Sequence, residues 1–190
     1  LKEKIFDNIW IQPAAGDAGG SLGAALALWY LDQGNKRTVN PEDDMAGSYL
    51  GPEFSQDQIE QELKSLGANY EILNYENLIE KTSDYLSKEK AIGWFQGRME
   101  FGPRALGGRS ILGDPRSEKM QKNLNLKVKY RESFRPFAPS VLKEDLSDWF
   151  DINVDSPYML LVADINLDKQ IQMSDEQKKL FGIDKLNIKR

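Results

Sequence analysis

Basic residues are concentrated in one part of the chain, between Gly97 and Pro136, where ten lysines and arginines stand against four acids. The whole chain, in contrast, has a formal net charge of −5. Positive charge that is segregated in an acidic protein indicates an anionic ligand or an acidic neighbour within the fold. The ten residues, called the basic cluster below, are Arg98, Arg104, Arg109, Arg116, Lys119, Lys122, Lys127, Lys129, Arg131 and Arg135.

The first half of the basic cluster is unusually rich in glycine. The stretch "FQGRMEFGPRALGGRS", residues 95–110, holds three arginines among four glycines. The planar guanidinium of arginine binds phosphate or carboxylate in two places, and glycine lets backbone N–H groups approach and point at the same anion. The stretch has neither the GK[ST] of a Walker A loop nor a GxGxxG fingerprint. It therefore favours a loop that binds a small phosphorylated molecule.

Two other interpretations of the basic cluster remain open at this point. The basic residues could form surface ion pairs with acids elsewhere in the chain. They could also bind nucleic acid, which requires exposed bases together with aromatic platforms. The aromatic residues of this region are equally suited to a hydrophobic core, and the net charge of −5 argues against a general nucleic-acid binder. These aromatic residues are Phe95, Phe101, Tyr130, Phe134 and Phe137.

A second candidate site lies near the N-terminus, in "PAAGDAGGSLGAAL". Asp17 stands there among small residues, just before a predicted helix. A helix N-terminus attracts phosphate, and the carboxylate of Asp17 suits a metal or a ribose hydroxyl. The spacing alone favours a simpler interpretation, in which Asp17 caps the helix and the alanines permit tight packing.

Helices are predicted where apolar residues recur with helical spacing between capping and stop residues. One runs from Ser21 to a stop at Gly34, and another begins after an N-cap at Ser55 and stops at Gly67. Three more are predicted over 75–88, 117–125 and 143–150. The segment 35–54 shows no periodicity and is predicted to be a loop.

Strands are predicted in apolar segments rich in β-branched and aromatic residues. The run at 91–95 is predicted to be a central strand, and the arginine–glycine stretch follows it, where α/β proteins place ligands. If "KVKYR" were also a strand, Lys127, Lys129 and Arg131 would share one face. Helices and strands alternate, so the predicted class is α/β or α+β. The other predicted strands are 5–12, 70–73, 137–142 and 158–165.

Composition excludes several kinds of site. The chain has no cysteine and no histidine, which excludes disulfides and thiolate zinc sites and leaves a carboxylate, a shifted lysine or another chain to act as general base. It has no run of about 18 apolar residues and no secretory signal. We expect a soluble, cytoplasmic protein of which this chain, beginning at Leu1, is an internal piece.

Three segments carry a resemblance to a known family: "PAAGDAGGSLGAAL", "GWFQGRMEFGPRALGGRSILGDPR" and "NLKVKYRESFRPFAPSVL". They resemble the O-carbamoyltransferases of nodulation-factor and antibiotic biosynthesis, and the likeness covers roughly 5–33 and 91–165. The resemblance implies an α/β chain in which 1–35 ends an actin/sugar-kinase-like ATPase domain with its last strand and helix. It further implies a linker at 36–54 and a truncated YrdC-like domain at 55–190.

The resemblance also implies a reaction. Carbamoyl phosphate and ATP give carbamoyl-adenylate and pyrophosphate in the YrdC-like domain, and the carbamoyl group then passes to a hydroxyl of a small-molecule acceptor in the ATPase-like domain. Mg²⁺ is expected on the ATP phosphates, and no nucleic acid or membrane partner is expected. The family's "DGTAR"-like and "NTSFN"-like segments are absent, so the chain alone is expected to be inactive. The alternatives are a YrdC-like enzyme that uses another carbamate, such as threonylcarbamoyl, and a non-catalytic module that binds RNA or phosphate.

Carried over residue by residue, the resemblance assigns roles within the basic cluster. The positions that match the binding of carbamoyl phosphate and ATP phosphates, and are predicted to be catalytic, are Arg104, Lys129 and Arg135. Further positions in the matching segments, predicted to bind the cofactor, are Arg98, Arg109, Arg131, Gly16 and Gly19.

Asp17 matches an aspartate that completes a metal site with two histidines of the ATPase-like domain. The expected metal is Fe²⁺ or another divalent ion. Because this chain has no histidine, those partners are expected upstream of Leu1.

Overall fold

A computed structural model of the chain describes residues 3–186 and Ile188. Its secondary structure mixes helices with a small sheet, consistent with the predicted α/β class. The described α-helices are Asp17–Ala27 (α1), Gln56–Ser65 (α2), Tyr75–Ser87 (α3), Met120–Asn123 (α4), Leu146–Trp149 (α5), Asp175–Lys178 (α6) and Gly182–Leu186 (α7). The described strands are Ile92–Phe95 (β1) and Arg109–Leu112 (β2), which pair in a two-stranded sheet.

The chain divides into two compact units. The first unit consists of Leu1–Ile72, Trp94–Ser110 and Ser156–Leu160. The second unit consists of Leu73–Gly93, Ile111–Asp155 and Leu161–Arg190. The division crosses both strands of the sheet, and each unit is described by itself below. The domain limits 1–35, 36–54 and 55–190 stay a prediction.

In the first unit, α1 begins four residues earlier than predicted, at Asp17 instead of Ser21. Its N-cap is Gly16, which has no side chain to cap the helix, so the interpretation of Asp17 as the capping residue is wrong. The early start is possible because the backbone N–H of Gly19 donates to the carbonyl of Ala14 at 2.8 Å. After a π-helical turn over Leu28–Asp32 the chain turns at Gly34, whose φ of +66° confirms the predicted stop.

The predictions for α2 and α3 are confirmed. Ser55 caps α2 in a capping box with Gln58: the Gln58 backbone N–H donates to the Ser55 side chain, and the Gln58 side chain accepts from the Ser55 backbone. Gly67, with a φ of +63°, follows the helix. The 35–54 segment is a loop with a single 3-10 turn at Ala46–Ser48, as its composition indicates.

Most of the strand predictions are wrong. The 91–95 run forms β1, but β1 pairs only with β2 in the described part of the chain and is not central. The described residues form no strand over 5–12, 70–73, 137–142 or 158–165. A strand needs a neighbour for its backbone hydrogen bonds, and the only pairing that the described part of 158–165 makes is an isolated bridge between Phe150 and Ile165. Apolar side chains of these segments remain exposed: Trp10 is 75% accessible and Val162 is 99% accessible.

The second half of the basic cluster lies in the second unit, with Lys122 and Lys127 on helical turns and the others in turns and loops beside them. The helix predicted over 117–125 begins at Met120, as α4, and continues as a π-helical turn over Leu124–Val128. The alternative that "KVKYR" forms a strand is therefore wrong. Met120 and Leu124 are buried and form the apolar core of this segment. Gly113 packs against them so closely that a Cβ there would lie 2.7 Å from Cγ of Met120.

No helix within the described ranges has the length and apolar character required to cross a membrane.

Candidate functional site

The arginine–glycine stretch of the first unit is organised around a buried carboxylate. Glu100 is 5% exposed, and its Oε1 accepts hydrogen bonds from the backbone N–H groups of Leu106 at 2.7 Å, Gly108 at 2.7 Å and Arg109 at 3.2 Å. Burial alone raises the pKa of Glu100, but these N–H donors outweigh it and hold the pKa below its ordinary value. The amides that were expected to point at a phosphate therefore point at Glu100.

Arg109 stabilises the same loop from its outer side. Its guanidinium carbon lies 3.3 Å from the ring centroid of Phe95, a cation–π contact. Its Nη1 donates to the carbonyl oxygens of Gln96 and Gly97 at 3.1 Å and of Gly108 at 2.7 Å. The side chain expected to bind a cofactor thus binds backbone carbonyls.

Arg98 is similarly engaged. Its Nη1 donates to the carbonyl oxygen of Gly51 at 3.0 Å, and its Nε lies 3.6 Å from a carboxylate oxygen of Glu53. These contacts join the stretch to the segment before α2.

Arg104 differs from both of its neighbours. It is exposed, and no group in the described part of the chain forms a hydrogen bond or ion pair with its guanidinium. It lines a cavity of about 200 Å³ within the first unit. The other walls are mainly small or apolar and include Gly16, Phe101, Leu106, Tyr158 and Leu160. An unpaired cation against apolar walls is an anion-binding arrangement.

The loop of Arg104 lies directly against the turn before α1. Gly102 has a φ of +110°, and a Cβ at this position would lie 2.5 Å from Cβ of Ala14. Only glycine accommodates both the backbone conformation and the close approach. Gly102 therefore brings the loop of Arg104 beside Gly16, and both residues line the cavity.

The cavity wall formed by Tyr158 is fixed by a polar contact. The Tyr158 hydroxyl donates to Oδ2 of Asp43 and accepts from the backbone N–H of Gly47 at 3.1 Å. Burial, and next the hydrogen bond to Asp43, raises the pKa of Tyr158 to about 12. The same hydroxyl, with the Gly47 and Met45 amides, lowers the pKa of Asp43.

The turn before α1, in "PAAGDAGG", contributes close backbone packing to the candidate site more than it contributes charge. A Cβ at Gly19 would lie 2.4 Å from the carbonyl oxygen of Ala14, so Gly19 is explained by its close approach to the backbone. Asp17 is exposed at the first position of α1. The described residues contain no group of three or more histidine, cysteine, aspartate or glutamate side chains that could hold a metal. One exposed carboxylate does not form a metal site on its own.

In the second unit, the segment that carries Lys129 and Arg135 is organised by Asn125, which is 0% exposed. Its Nδ2 donates to the carbonyl oxygens of Ser133 at 3.1 Å and Arg135 at 2.8 Å, and its Oδ1 accepts from Nε of Arg131 at 2.6 Å. Arg131 also lies over the ring of Phe137, with 4.9 Å between its guanidinium carbon and the ring centroid.

The two basic residues predicted to be catalytic in this unit differ in their partners. Nε of Arg135 lies 2.8 Å from Oε2 of Glu132 in an exposed ion pair. The Lys129 ammonium has no hydrogen bond or ion pair with the residues that the structure describes. Arg104 belongs to the first unit and Lys129 and Arg135 to the second, so their joint catalytic role stays a prediction.

Ion pairing accounts for part of the basic cluster. Arg116 pairs with the buried carboxylate of Asp114 at 2.6 Å. Hydrogen bonds from the Arg116 side chain and backbone lower the pKa of Asp114 to about 2. With Arg98 and Arg135, three members of the cluster lie in ion pairs within the described residues. Of these, Arg98 pairs with an acid outside the cluster region, Glu53, as one of the alternative interpretations expected, whereas Arg116 and Arg135 pair with acids of the region itself.

The structural roles of Glu100, Asn125 and the Tyr158–Asp43 pair were missed at the level of sequence. Glu100 left a signal, because it is the single carboxylate in a stretch of three arginines and four glycines. Tyr158 and Asp43 left none, since they are far apart in sequence and come together only in the fold.

Comparison with known families identifies the family of the chain. The sequence model of the family described as carbamoyltransferase C-terminus matches residues 83–178. The chain belongs to this family. The match begins in α3 and includes the loop of Arg104 and the turns that carry Lys129 and Arg135.

Related proteins cover most of the chain. An uncharacterized protein of Synechocystis sp. is 56% identical over 192 aligned positions, which span 100% of this chain and 31% of that protein. The nodulation protein NolNO of Sinorhizobium fredii is 40% identical over 90% of this chain and 25% of its own length. The nodulation protein NolO of Bradyrhizobium diazoefficiens is 42% identical over 80% of this chain and 27% of its own length. The chain thus spans about a quarter to a third of these relatives.

Proposed function

We propose that the chain is part of an enzyme that forms carbamoyl-adenylate from carbamoyl phosphate and ATP and transfers the carbamoyl group to a hydroxyl of a small-molecule acceptor. Membership in the carbamoyltransferase C-terminus family and the likeness to nodulation proteins support this proposal. The observation that supports a specific site is that Arg104, which has no polar partner among the described residues, lines the cavity of the first unit.

The size of that cavity favours the smaller of the two substrates. Its volume of about 200 Å³ lies below the roughly 300–1,000 Å³ of pockets that enclose drug-sized ligands. Such a space suits a molecule built from one phosphate and one carbamoyl group. We assign carbamoyl phosphate to Arg104, which supplies two parallel N–H donors to its phosphate.

The proposed reaction brings two polyanions together, so it requires several positive charges. Lys129 and Arg135 of the second unit are the proposed partners of the ATP phosphates, and Mg²⁺ is the expected counterion. Atom balance requires that one water is consumed and that the donor phosphate leaves as inorganic phosphate, while ATP loses pyrophosphate. Fixed N–H donors stabilise the charge that develops on these leaving groups.

The test is pyrophosphate release by the full-length protein supplied with carbamoyl phosphate, ATP and Mg²⁺. Arg104→Ala is expected to abolish the release without a change in the unfolding midpoint, because the side chain has no partner within the described structure. Arg37→Ala is the matched control, since Arg37 is an exposed arginine outside the cavity. Full activity of Arg104→Ala would remove the site assignment.

The same assay separates the alternatives. Release only with bicarbonate and threonine in place of carbamoyl phosphate would identify an enzyme that uses another carbamate. No release under either condition, together with tight and salt-dependent RNA binding, would overturn the proposal in favour of a binding module.

A further inference from the structure

The loop between Glu100 and Arg109 is closed by one carboxylate oxygen. Oε1 of Glu100, at the start of the loop, accepts from three amides at its end, those of Leu106, Gly108 and Arg109. Arg104 lies in the middle of the loop and makes no polar contact with the rest of the described chain. The backbone of the loop therefore sets the point at which the Arg104 side chain leaves the main chain.

We propose that Glu100 is a positioning residue, which holds the backbone of the loop so that Arg104 faces the cavity and its anionic ligand. This inference rests on the proposed function, because it concerns the same site. Glu100 does not contact the ligand: its side chain is buried, its Oε1 is committed to the three amides, and it is not among the residues that line the cavity.

Charge explains why a glutamate is used in a site for anions. A carboxylate forms stronger hydrogen bonds with amides than a neutral acceptor does, and it occupies N–H groups that would otherwise bind an anion themselves. Binding is thereby directed from the backbone amides to the Arg104 side chain. A ligand phosphate then meets an arginine whose backbone is already held beside the cavity, which reduces the entropy lost on binding.

Other contacts keep the loop folded when the charge of Glu100 is removed. The Tyr49 hydroxyl donates to the carbonyl oxygen of Leu106, and the backbone N–H of Gly107 donates to Oγ of Ser110 at 3.0 Å. The backbone N–H of Phe101 donates to the carbonyl oxygen of Ser48 at 2.6 Å. Glu100→Gln is therefore a fair test, because it keeps the shape and an acceptor oxygen.

The experiment is a double-mutant cycle in the full-length protein, with the dissociation constant of carbamoyl phosphate measured by calorimetry. Glu100→Gln is expected to raise this constant about tenfold in the wild-type background and by less than about twofold in Arg104→Ala, since it acts only through Arg104. Glu53→Gln is the control, because Glu53 is an exposed carboxylate that contacts the same stretch through Arg98.

The outcomes distinguish a positioning role of Glu100 from a role in stability alone. An equal loss of affinity in both backgrounds would show that Glu100 serves stability alone and would overturn the inference, as would unchanged affinity of Glu100→Gln. Wild-type affinity in Arg104→Ala would instead refute the site assigned under the proposed function. If Glu100→Gln does not fold, Glu100→Asp, which keeps the charge on a shorter side chain, takes its place in the cycle with the same expectations.

Discussion

The guanidinium carbon of Arg109 lies 3.3 Å above the ring centroid of Phe95. The same guanidinium donates to the carbonyl oxygens at both ends of the arginine–glycine stretch, at Gln96 and Gly108. Arg104, only five residues earlier, makes neither kind of contact with the described residues. One short motif therefore contains an arginine that stabilises the loop and an arginine that is free to bind a ligand.

This difference predicts that alanine substitution of the two arginines has unequal effects on stability. Arg109→Ala is expected to lower the free energy of unfolding by about 1.5–3 kcal/mol, because it removes hydrogen bonds from a charged donor to three carbonyls. Arg104→Ala is expected to change it by less than about 0.5 kcal/mol. Urea denaturation of the full-length variants measures both. Equal destabilisation by the two substitutions would contradict the division of roles.

The close approach of Gly102 to Ala14 predicts a steric effect on ligand binding. Gly102→Ala places a Cβ 2.5 Å from Cβ of Ala14 at a φ of +110°, so the loop must move away from the turn before α1. The affinity for carbamoyl phosphate is expected to fall together with stability. In Gly97→Ala the φ is +53° and nothing lies within 4 Å of the new Cβ, so only a backbone cost of about 1–2 kcal/mol is expected. Calorimetry of both variants would refute the prediction if their affinities were equal.

The buried amide of Asn125 predicts a marked response to an isosteric change. Asn125→Asp leaves the carbonyls of Ser133 and Arg135 without a donor and places a carboxylate beside them. A loss of at least about 2 kcal/mol in the free energy of unfolding is expected, with faster hydrogen exchange over 129–137. Asn123→Asp, an exposed change in α4, is the matched control and is expected to cost less than about 0.5 kcal/mol. Identical exchange rates in the two variants would be evidence against the role of Asn125.

The sequence predicted the elements that depend on contacts between residues close together in the chain, and it failed where an element depends on distant residues. The limits of α2 were predicted because the Ser55–Gln58 capping box and Gly67 act within a few residues. The strand predicted over 158–165 failed because its formation depends on a neighbouring strand and not on its own residues.

The candidate site shows the same limit. Motif spacing identified Arg98, Arg104 and Arg109 as one group, since all three share the same glycine-rich surroundings. Only the fold shows that Arg98 contacts Gly51 and Glu53 and that Arg109 lies over Phe95. Arg104, in contrast, has no polar partner among the residues that the structure describes. The role of Glu100 could have been predicted from the sequence, because a lone carboxylate among arginines and glycines is a local feature.

The contact between Tyr158 and Asp43 predicts how the stability of the first unit depends on pH. The pKa of Asp43 is lowered in the fold, first by the Tyr158 hydroxyl, so its contribution is present above the unfolded value of about 3.9 and is lost as the pH falls through the folded value. The pKa of Tyr158 is raised to about 12. Its contribution is therefore present below the unfolded value of about 10 and is lost as the pH rises through 12.

Tyr158→Phe removes both contributions at once. At pH 7 it is expected to cost about 1–3 kcal/mol, because Asp43 loses its donor and the Gly47 amide an acceptor. The difference from wild type is expected to shrink toward pH 3 and again above pH 11. Tyr75→Phe is the control, since Tyr75 is 75% exposed. Urea midpoints measured across this pH range test the prediction, and a difference that stays constant at every pH would show that the contact does not shift the ionisation of Asp43 and Tyr158.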